Sequence, residues 1–569
     1  MDRNLLLAFA LSFLVLSLWS MTQEPRPRPE AEVEATAAAP TEIARAEEGA
    51  AGRYPELADP STPTEGAPAP RAIPRDSTPA PAAVAAQTIT VETAKYRAQL
   101  STQGATLTRW RLLDELYADR FGDPIELVTP SAQDPTVTSP FLELGLGDLS
   151  RAVWNVTESA RQVAFSITKN GVTVRKIYDF SEDDYDFRLR LEVDNGSTEV
   201  IGPAFLVEWP LEERNGNDFR EQSAVALHRG EREQELLAGL GGRGFFGFFT
   251  GREEGEPVVF DKEVDWAGTQ TPYFLSALFP EQPASASARF HPIEIGKRGV
   301  VQLYFDPVTL TPGQSAVREY RGYVGPMEVA RLEAFSPTAV QAVDFGWSII
   351  APMTRFFAWA LHVLYGIVGN YGWAIILLTV LVRVVTAPLT VKQMKSMERM
   401  RRIQPKMKEI QEKYADDRQK QSEAMMSLYR QEKVNPLGGC FPMLLQLPVF
   451  IGLFYALRVS IDLRHAHFIG WIDDLSAPDL LFTLPGIDFP VRVLPLLMGG
   501  SMFAQQKLMP TTSMDPAQAK MMLTVMPLMM TVISYTFPSG LVLYWMMSNV
   551  LAIAHQLWIG RNLEPAATN

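Results

Sequence analysis

A chain of 569 residues with 47% apolar composition has room for more than one domain. Its formal charge of −13 is uneven: residues 351–569 carry 20 Lys+Arg against 14 Asp+Glu, a net +6, which leaves 32 against 51, a net −19, for residues 1–350. An acidic front and a basic, apolar back point to two compartments and away from nucleic-acid specificity. Cys440 is the only cysteine, so no intrachain disulfide can form, and an exported front half must be held by its core alone. There is no phosphate-binding P-loop, CxxC or HExxH pattern.

Residues 1–22 open with a short charged stretch and then run apolar from Leu5 to Met21, the length of a short membrane helix. A cleaved signal peptide is the rival reading, but no A-x-A site closes the run. An uncleaved transmembrane anchor with its N-terminus in the cytoplasm is therefore expected. Residues 23–87 are rich in Pro, Ala and Glu, bury little, and read as a disordered linker on the periplasmic side.

Residues 88–327 have β texture. Alternation on both sides of Asn170-Gly171 predicts a type I′ hairpin, and FRLRLEVDNGS repeats the style at Asn195-Gly196. Many short strands with few helical windows imply a periplasmic β-sandwich domain. Its acids (Glu182, Asp183, Asp184) and histidines (His228, His291) do not cluster by spacing, so a solvated surface is the favoured reading over a catalytic site. The glycine-rich run 241–249 follows no strand–helix unit and carries no phosphate signal.

Residues 328–366, aromatic with scattered charges, suit an amphipathic helix in the membrane interface. Residues 367–391 form a second transmembrane helix, WAIILLTVLVRVVTAPL, with Arg383 inside it. An arginine at a helix centre costs roughly 2.5–3.5 kcal/mol on insertion scales, so it must snorkel, face water or find a partner. Thr379 lies one turn earlier on the same face. Residues 392–435 follow, with 12 Lys+Arg against 7 Asp+Glu over 392–434; the positive-inside rule makes them a cytoplasmic helical hairpin, broken near Ala415-Asp416-Asp417. Its methionines serve either as hairpin core or as an adaptable apolar surface.

A third helix spans 436–460, with Gln446 as its strongly polar interior side chain. A periplasmic loop covers 461–489, a fourth helix 490–507 and a cytoplasmic loop 508–520. Residues 521–559 carry no formal charge; as one helix they would run about 58 Å, nearly twice the hydrocarbon core, so they must fold back at Phe537-Pro538-Ser539-Gly540. Two helices result, 521–537 and 538–560, before a short tail at 561–569. Thr524 on the former, and Trp545, Asn549 and Gln556 on the latter, lie on polar faces. Such stripes either glue helices together by hydrogen bonds or line a cavity. No Asp or Glu lies within the spans to neutralise Arg383, which favours a wet cavity open to the cytoplasm.

The stretches TVLVRVVTAPLTVKQ, EKVNPLGGCFPMLLQLPVF, MPTTSMDPAQAKMM and FPSGLVLYWMMSNVLAIAHQ, in this order, resemble the YidC-type membrane protein insertases, relatives of the mitochondrial Oxa and chloroplast Alb proteins. The resemblance runs along the whole chain, and the long β domain matches the Gram-negative form. It implies a polytopic α-helical inner-membrane protein, an N-terminal anchor plus a five-helix core. A periplasmic all-β supersandwich, akin to a sugar-epimerase sandwich, and the cytoplasmic hairpin complete the architecture. It further implies an insertase and chaperone, not an enzyme, working without cofactor or metal, alone or with the Sec translocon.

The implied substrate groove is hydrophilic and closed to the periplasm, with Arg383 as its positive charge and contacts from Thr379 and Trp545. Relatives often carry tyrosine at 545, so stacking or packing stands there in place of a hydrogen bond. The residue reading adds Gln446, Thr524, Asn549 and Gln556. Implied partners are nascent membrane proteins, the ribosome, the SecYEG translocon, SecDF and the phospholipid bilayer. The tail lacks the basic run some relatives use at the ribosome, so that contact is expected to rest on the hairpin. A small-ion channel would need paths open on both sides and embedded acids or an inverted repeat. A sugar-processing enzyme would need a site in the β domain, and fold does not carry function.

Overall fold

The computed structural model describes residues 86–563 except 120, 130–136, 215–218, 220, 241–254, 415–416, 433–440, 487–488 and 509–515. The expected anchor, most of the linker, the glycine-rich run, Cys440, most of the loop 508–520 and the end of the tail lie outside these residues.

The front of the chain is a layered β structure. A nine-stranded antiparallel sheet runs, in spatial order, through Glu231–Leu236, Ser223–His228, Val264–Gln270, Phe274–Pro280, Ser315–Pro326, Asp186–Asn195, Val172–Phe180, Gln162–Lys169 and Asn155–Glu158. A four-stranded sheet (Val258–Phe260, Ala286–Glu294, Arg298–Phe305, Val207–Glu212) packs on it at Val264–Gln270. A second four-stranded sheet (Thr88–Glu92, Tyr96–Ser101, Thr106–Leu112, Glu126–Val128) faces its other half. There Trp110 stacks on Tyr96 at 4.0 Å and reaches Phe187 at 5.8 Å. The alternating burial of Val172–Phe180 shows why: every second side chain points into the core.

The two Asn-Gly signals diverge. Asn170 and Gly171 both have positive φ, 53° and 81°, and Lys169 pairs with Val172, the tight turn that the right-handed strand twist favours. Asn195-Gly196 closes no hairpin. The Asn195 amide instead donates to the carbonyls of Glu199 (2.7 Å) and Leu310 (2.9 Å), which leads the chain across to a bridge between Ile201 and Leu310.

Lys176 sits in this core at 1% exposure, its ammonium donating to the Gly104 carbonyl at 3.0 Å and lying 5.3 Å from the Trp154 ring. Burial pushes it down to about 7, against the pull of Glu208 and Asp148. Since an unfolded lysine titrates near 10.4, the unfolded chain binds a proton across that window that the folded chain does not. The lysine's contribution is therefore lost as pH falls from about 10.4 to about 7, and is flat below. Thermal unfolding of the β domain in the detergent-solubilised chain should show stability rising between pH 7 and 10, by a few kcal/mol at most. Lys176→Met should flatten that rise. An unchanged slope in the variant would refute the assignment.

Helices α1 (Val329–Phe335), α2 (Ala351–Val368), α3 (Tyr371–Lys413), α4 (Arg418–Gln431), α5 (Phe441–Val459), α6 (Val493–Leu508), α7 (Pro516–Ser534) and α8 (Ser539–Leu563) make up the back. The segment expected as one interfacial helix over 328–366 divides. Leu332, Phe335, Ala339 and Phe345 join the β core, where Phe335 meets Phe279 at 5.0 Å and the Trp266 indole donates to the Thr338 carbonyl at 3.1 Å. Only α2 lies with the bundle, burying Thr354, Phe357, Leu361 and Leu364 while Phe356, Trp359 and Ile367 stay exposed.

The polar change at Thr390 leaves no break in the backbone: α3 runs 43 residues, with Pro388 and Pro405 inside it. The change there is of side-chain surroundings, and good helix formers continue past it. Helix α4 folds back on the end of α3 through Ile403, Met407 and Leu428, with Met400 and Met425 at the edge, so these methionines serve as hairpin core. Tyr371–Lys392 and Ser539–Trp558 are long and apolar enough to cross a membrane; Leu447–Val459 and Leu523–Ser534 are shorter apolar helices. The β domain is tied to the bundle at the end of α5, where Arg458 pairs with Glu221 (2.5 Å) and Asp344 (3.5 Å).

Candidate functional site

Helix α8 organises the bundle: it packs along α6 and α3 and touches α5. Its face carries the predicted polar residues, and one that the spacing argument passed over. The Arg383 guanidinium on α3 donates to the Ser548 hydroxyl on α8 through Nε at 3.2 Å and a terminal nitrogen at 2.5 Å. Ser548 follows Trp545 by three residues and precedes Asn549, so it lies on the same helical side. Its i+3 relation to Trp545 was the available signal.

Arg383 is half-buried. It makes no ion pair among the described residues, and its side-chain hydrogen bonds there both go to the Ser548 hydroxyl. A half-buried cation with no ion-pair partner among the described residues, in a span without acids, attracts anions.

One turn earlier, Thr379 is buried at 1% exposure and its hydroxyl donates to the Ile375 carbonyl of its own helix at 2.6 Å. Thr386 does the same to Val382 at 2.9 Å and Thr390 to Thr386 at 3.2 Å. Such back-bonding satisfies a threonine inside a helix without a partner helix.

One residue on from Ser548 along α8, the Asn549 amide, 5% exposed, donates to the Ser501 hydroxyl on α6 at 3.1 Å, a link of the helix-gluing kind. Trp545 packs its ring 5.1 Å from Phe450 on α5. Gln556 and, on α6, Gln506 each keep a buried amide oxygen with no hydrogen-bond partner among the described residues. Thr524 is exposed on α7, and the Gln446 side chain lies outside the described residues. The structure thus joins Arg383 to α8 and Asn549 to α6, sets Trp545 against α5, and turns Thr379 inward. Helix α7 approaches α6 so closely that a side chain at Gly499 would collide with Thr531.

One end of the bundle is capped. Asp479, 4% exposed, accepts from the Trp471 indole at 3.0 Å and from the N–H groups of Val493 and Leu494 at 2.9 Å, holding the start of α6. Asp474 binds Ser476 N–H at 2.8 Å and the His465 ring at 3.1 Å. Burial alone would raise the Asp474 carboxyl, but those bonds outweigh it and hold it below the usual range. Leu463, Ile472 and Leu475 of this loop are buried among the helices, and Ser539 and Gly540 at the start of α8 donate to Ala477 (2.7 Å) and Leu475 (2.9 Å).

These features define a helical membrane protein with a large extramembrane β-sandwich and a half-buried arginine, Arg383, bonded between two of its helices. Residues 363–566 match the family model described as 60Kd inner membrane protein, and residues 88–360 match the YidC periplasmic domain. The chain is 34% identical over 580 residues to the membrane protein insertase YidC of Pelobacter propionicus, covering 99% of each. It is 36% identical to that of Geobacter metallireducens, covering 87% of this chain and 90% of the relative. A crystal structure of an active YidC insertase with its first transmembrane domain resolved is similar over 82% of this chain and 91% of that one, at 19% identity and a TM-score of 0.33. The chain belongs to the YidC family of membrane protein insertases.

Proposed function

We propose that this chain inserts inner-membrane proteins through a hydrophilic groove that opens to the cytoplasm and is lined at its centre by Arg383. It is a membrane protein insertase and not an enzyme. The observation that carries the groove reading is the half-buried Arg383 guanidinium. It is anchored on Ser548 and has no ion-pair partner among the described residues.

In this reading, five C-terminal helices (α3, α5, α6, α7 and α8) cross the bilayer, both termini are cytoplasmic, and the loop anchored by Asp474 and Asp479 closes the periplasmic end. A short polar segment of a substrate enters from the cytoplasm. The groove shortens the apolar path it must cross, and Arg383 attracts its acidic residues. The substrate's apolar helix leaves between α5 and α7 into lipid, stabilised by about 25 cal/mol per Å² of apolar surface removed from water.

Trp545, Asn549, Gln556, Gln446 and Thr524 belong to the groove wall in this reading. Thr379 shapes it from behind, its hydroxyl turned to its own helix. The ribosome, the SecYEG translocon and SecDF are the proposed partners beyond substrate and lipid, with the α3–α4 hairpin as the ribosome-facing element.

Photo-crosslinking tests the reading. A photoreactive residue at 383 should capture a stalled nascent single-span protein, and one at exposed Val200 of the β domain should not. Equal capture at both positions, or none at 383, would refute the groove.

A further inference from the structure

Between the capping loop and α6, Phe482–Leu484 and Phe489–Val491 pair as an antiparallel ribbon in the register Phe482↔Val491, Thr483↔Pro490, Leu484↔Phe489. A ribbon of two strands with no third neighbour is marginal in water. All three residues of the first strand are exposed, and the ribbon with its lead-in shows Leu480, Leu481, Phe482, Leu484 and Phe489 at 36–49% exposure. None of these five belongs to a buried core cluster among the described residues.

The ribbon is nevertheless held in place. Leu481 N–H donates to the Val491 carbonyl at 3.0 Å, and the Tyr535 hydroxyl donates to the Pro490 carbonyl. The Phe489 ring stacks on Tyr535 at 5.8 Å, and the Arg492 guanidinium lies 5.0 Å from the same ring while donating to the Tyr535 carbonyl. The ribbon is thereby pinned to the end of α7. Val532 and Leu528 lie three and seven residues before Tyr535, on the same side of α7, and are exposed, as are Leu496 and Leu497 near the start of α6.

We propose that this ribbon is a lipid-binding element that lies in the bilayer interface at the closed end of the bundle. Its Leu481, Phe482, Leu484 and Phe489 side chains enter the outer acyl region of the periplasmic leaflet. The inference rests on the reading that α6 and α7 face lipid, and continuity with those helices names the occupant. Exposed apolar side chains gathered in this way are unfavourable in water and mark an interface. Depth follows from the backbone. The outward edges of a two-stranded ribbon keep unpaired N–H and C=O groups, which hydrocarbon cannot satisfy and the headgroup layer can. Pro490 lowers that demand, since it has no N–H to leave unpaired.

The test uses the full chain. In a Cys440→Ser background, single cysteines are placed by Phe482→Cys, Val532→Cys and Val200→Cys and labelled with an environment-sensitive fluorophore. Each protein is reconstituted in phosphatidylethanolamine–phosphatidylglycerol vesicles. Quenching is read from shallow spin-labelled lipid and from iodide on both sides. Position 482 should be quenched by the lipid several-fold more than position 200 and be shielded from iodide, as should 532. If 482 follows 200 while 532 is quenched by lipid, the ribbon lies in water and the proposal fails with the membrane reading intact. Shielding of 482 from both quenchers would mean a protein covers it, which also overturns the proposal. If 532 itself follows 200, the lipid-facing reading of α7 fails and this inference goes with it.

Discussion

Arg383→Ala is expected to reduce insertion of substrates whose translocated segment carries Asp or Glu by on the order of tenfold or more, while neutral segments insert near the wild-type rate. Two unit charges 4 Å apart at an effective dielectric near 20 interact by about 4 kcal/mol, comparable to the cost of placing one acid in the membrane interior. Only about 1.4 kcal/mol of this need be realised for a tenfold change. Arg383→Lys should keep much of the activity. The guanidinium makes no bidentate pair with a carboxylate here; both of its bonded nitrogens converge on one hydroxyl, Ser548, so a point charge suffices. Ser548→Ala should cost less than Arg383→Ala, since it frees the cation without removing it. Paired insertion assays with acidic and charge-neutralised versions of one substrate check all three variants. Equal activity of Arg383→Ala on both versions would remove the electrostatic mechanism.

Replacing residues 392–434 by a flexible Gly/Ser linker should abolish insertion while leaving the bundle folded. Helix α4 packs on the end of α3 through a small core of its own, Ile403, Met407 and Leu428, separate from the bundle core. Lys406 pairs across the hairpin with Glu432 at 2.5 Å, an exposed bridge of little energetic weight. The module can thus be removed without opening a cavity between the spans. Charge-preserving changes on its outer face should be tolerated, because the proposed ribosome-facing role rests on its excess of Lys and Arg. Proteolytic protection of the bundle in detergent would report folding, and complementation of an insertase-depleted strain would report function. A fully active linker variant would reduce the hairpin to a connection.

Much of this architecture was legible in the chain itself. Local chemistry carried it: the alternation around Asn170-Gly171 needed only two residues able to take positive φ. The charge-free run from 521 to 559 was too long for one crossing, and it breaks between α7 and α8 next to Pro538. Arg383 stood out because a lone cation among apolar residues is conspicuous whatever surrounds it.

Tertiary structure decided the rest. Asn195-Gly196 has the same local signal as Asn170-Gly171, yet Leu310, far away in the chain, takes its amide and directs it elsewhere. Phe335 and Ala339 read as part of an interfacial helix until the β core claims them. Thr379 and Arg383 share a helix face, but the threonine closes on its own backbone while the arginine finds Ser548 165 residues on. Apolar period, turn residues and a misplaced charge are properties of a few consecutive residues and survive in sequence. Which hydroxyl meets a guanidinium, and whether a lysine such as Lys176 is buried, depend on how helices and sheets lie against one another, where distant packing outweighs local preference.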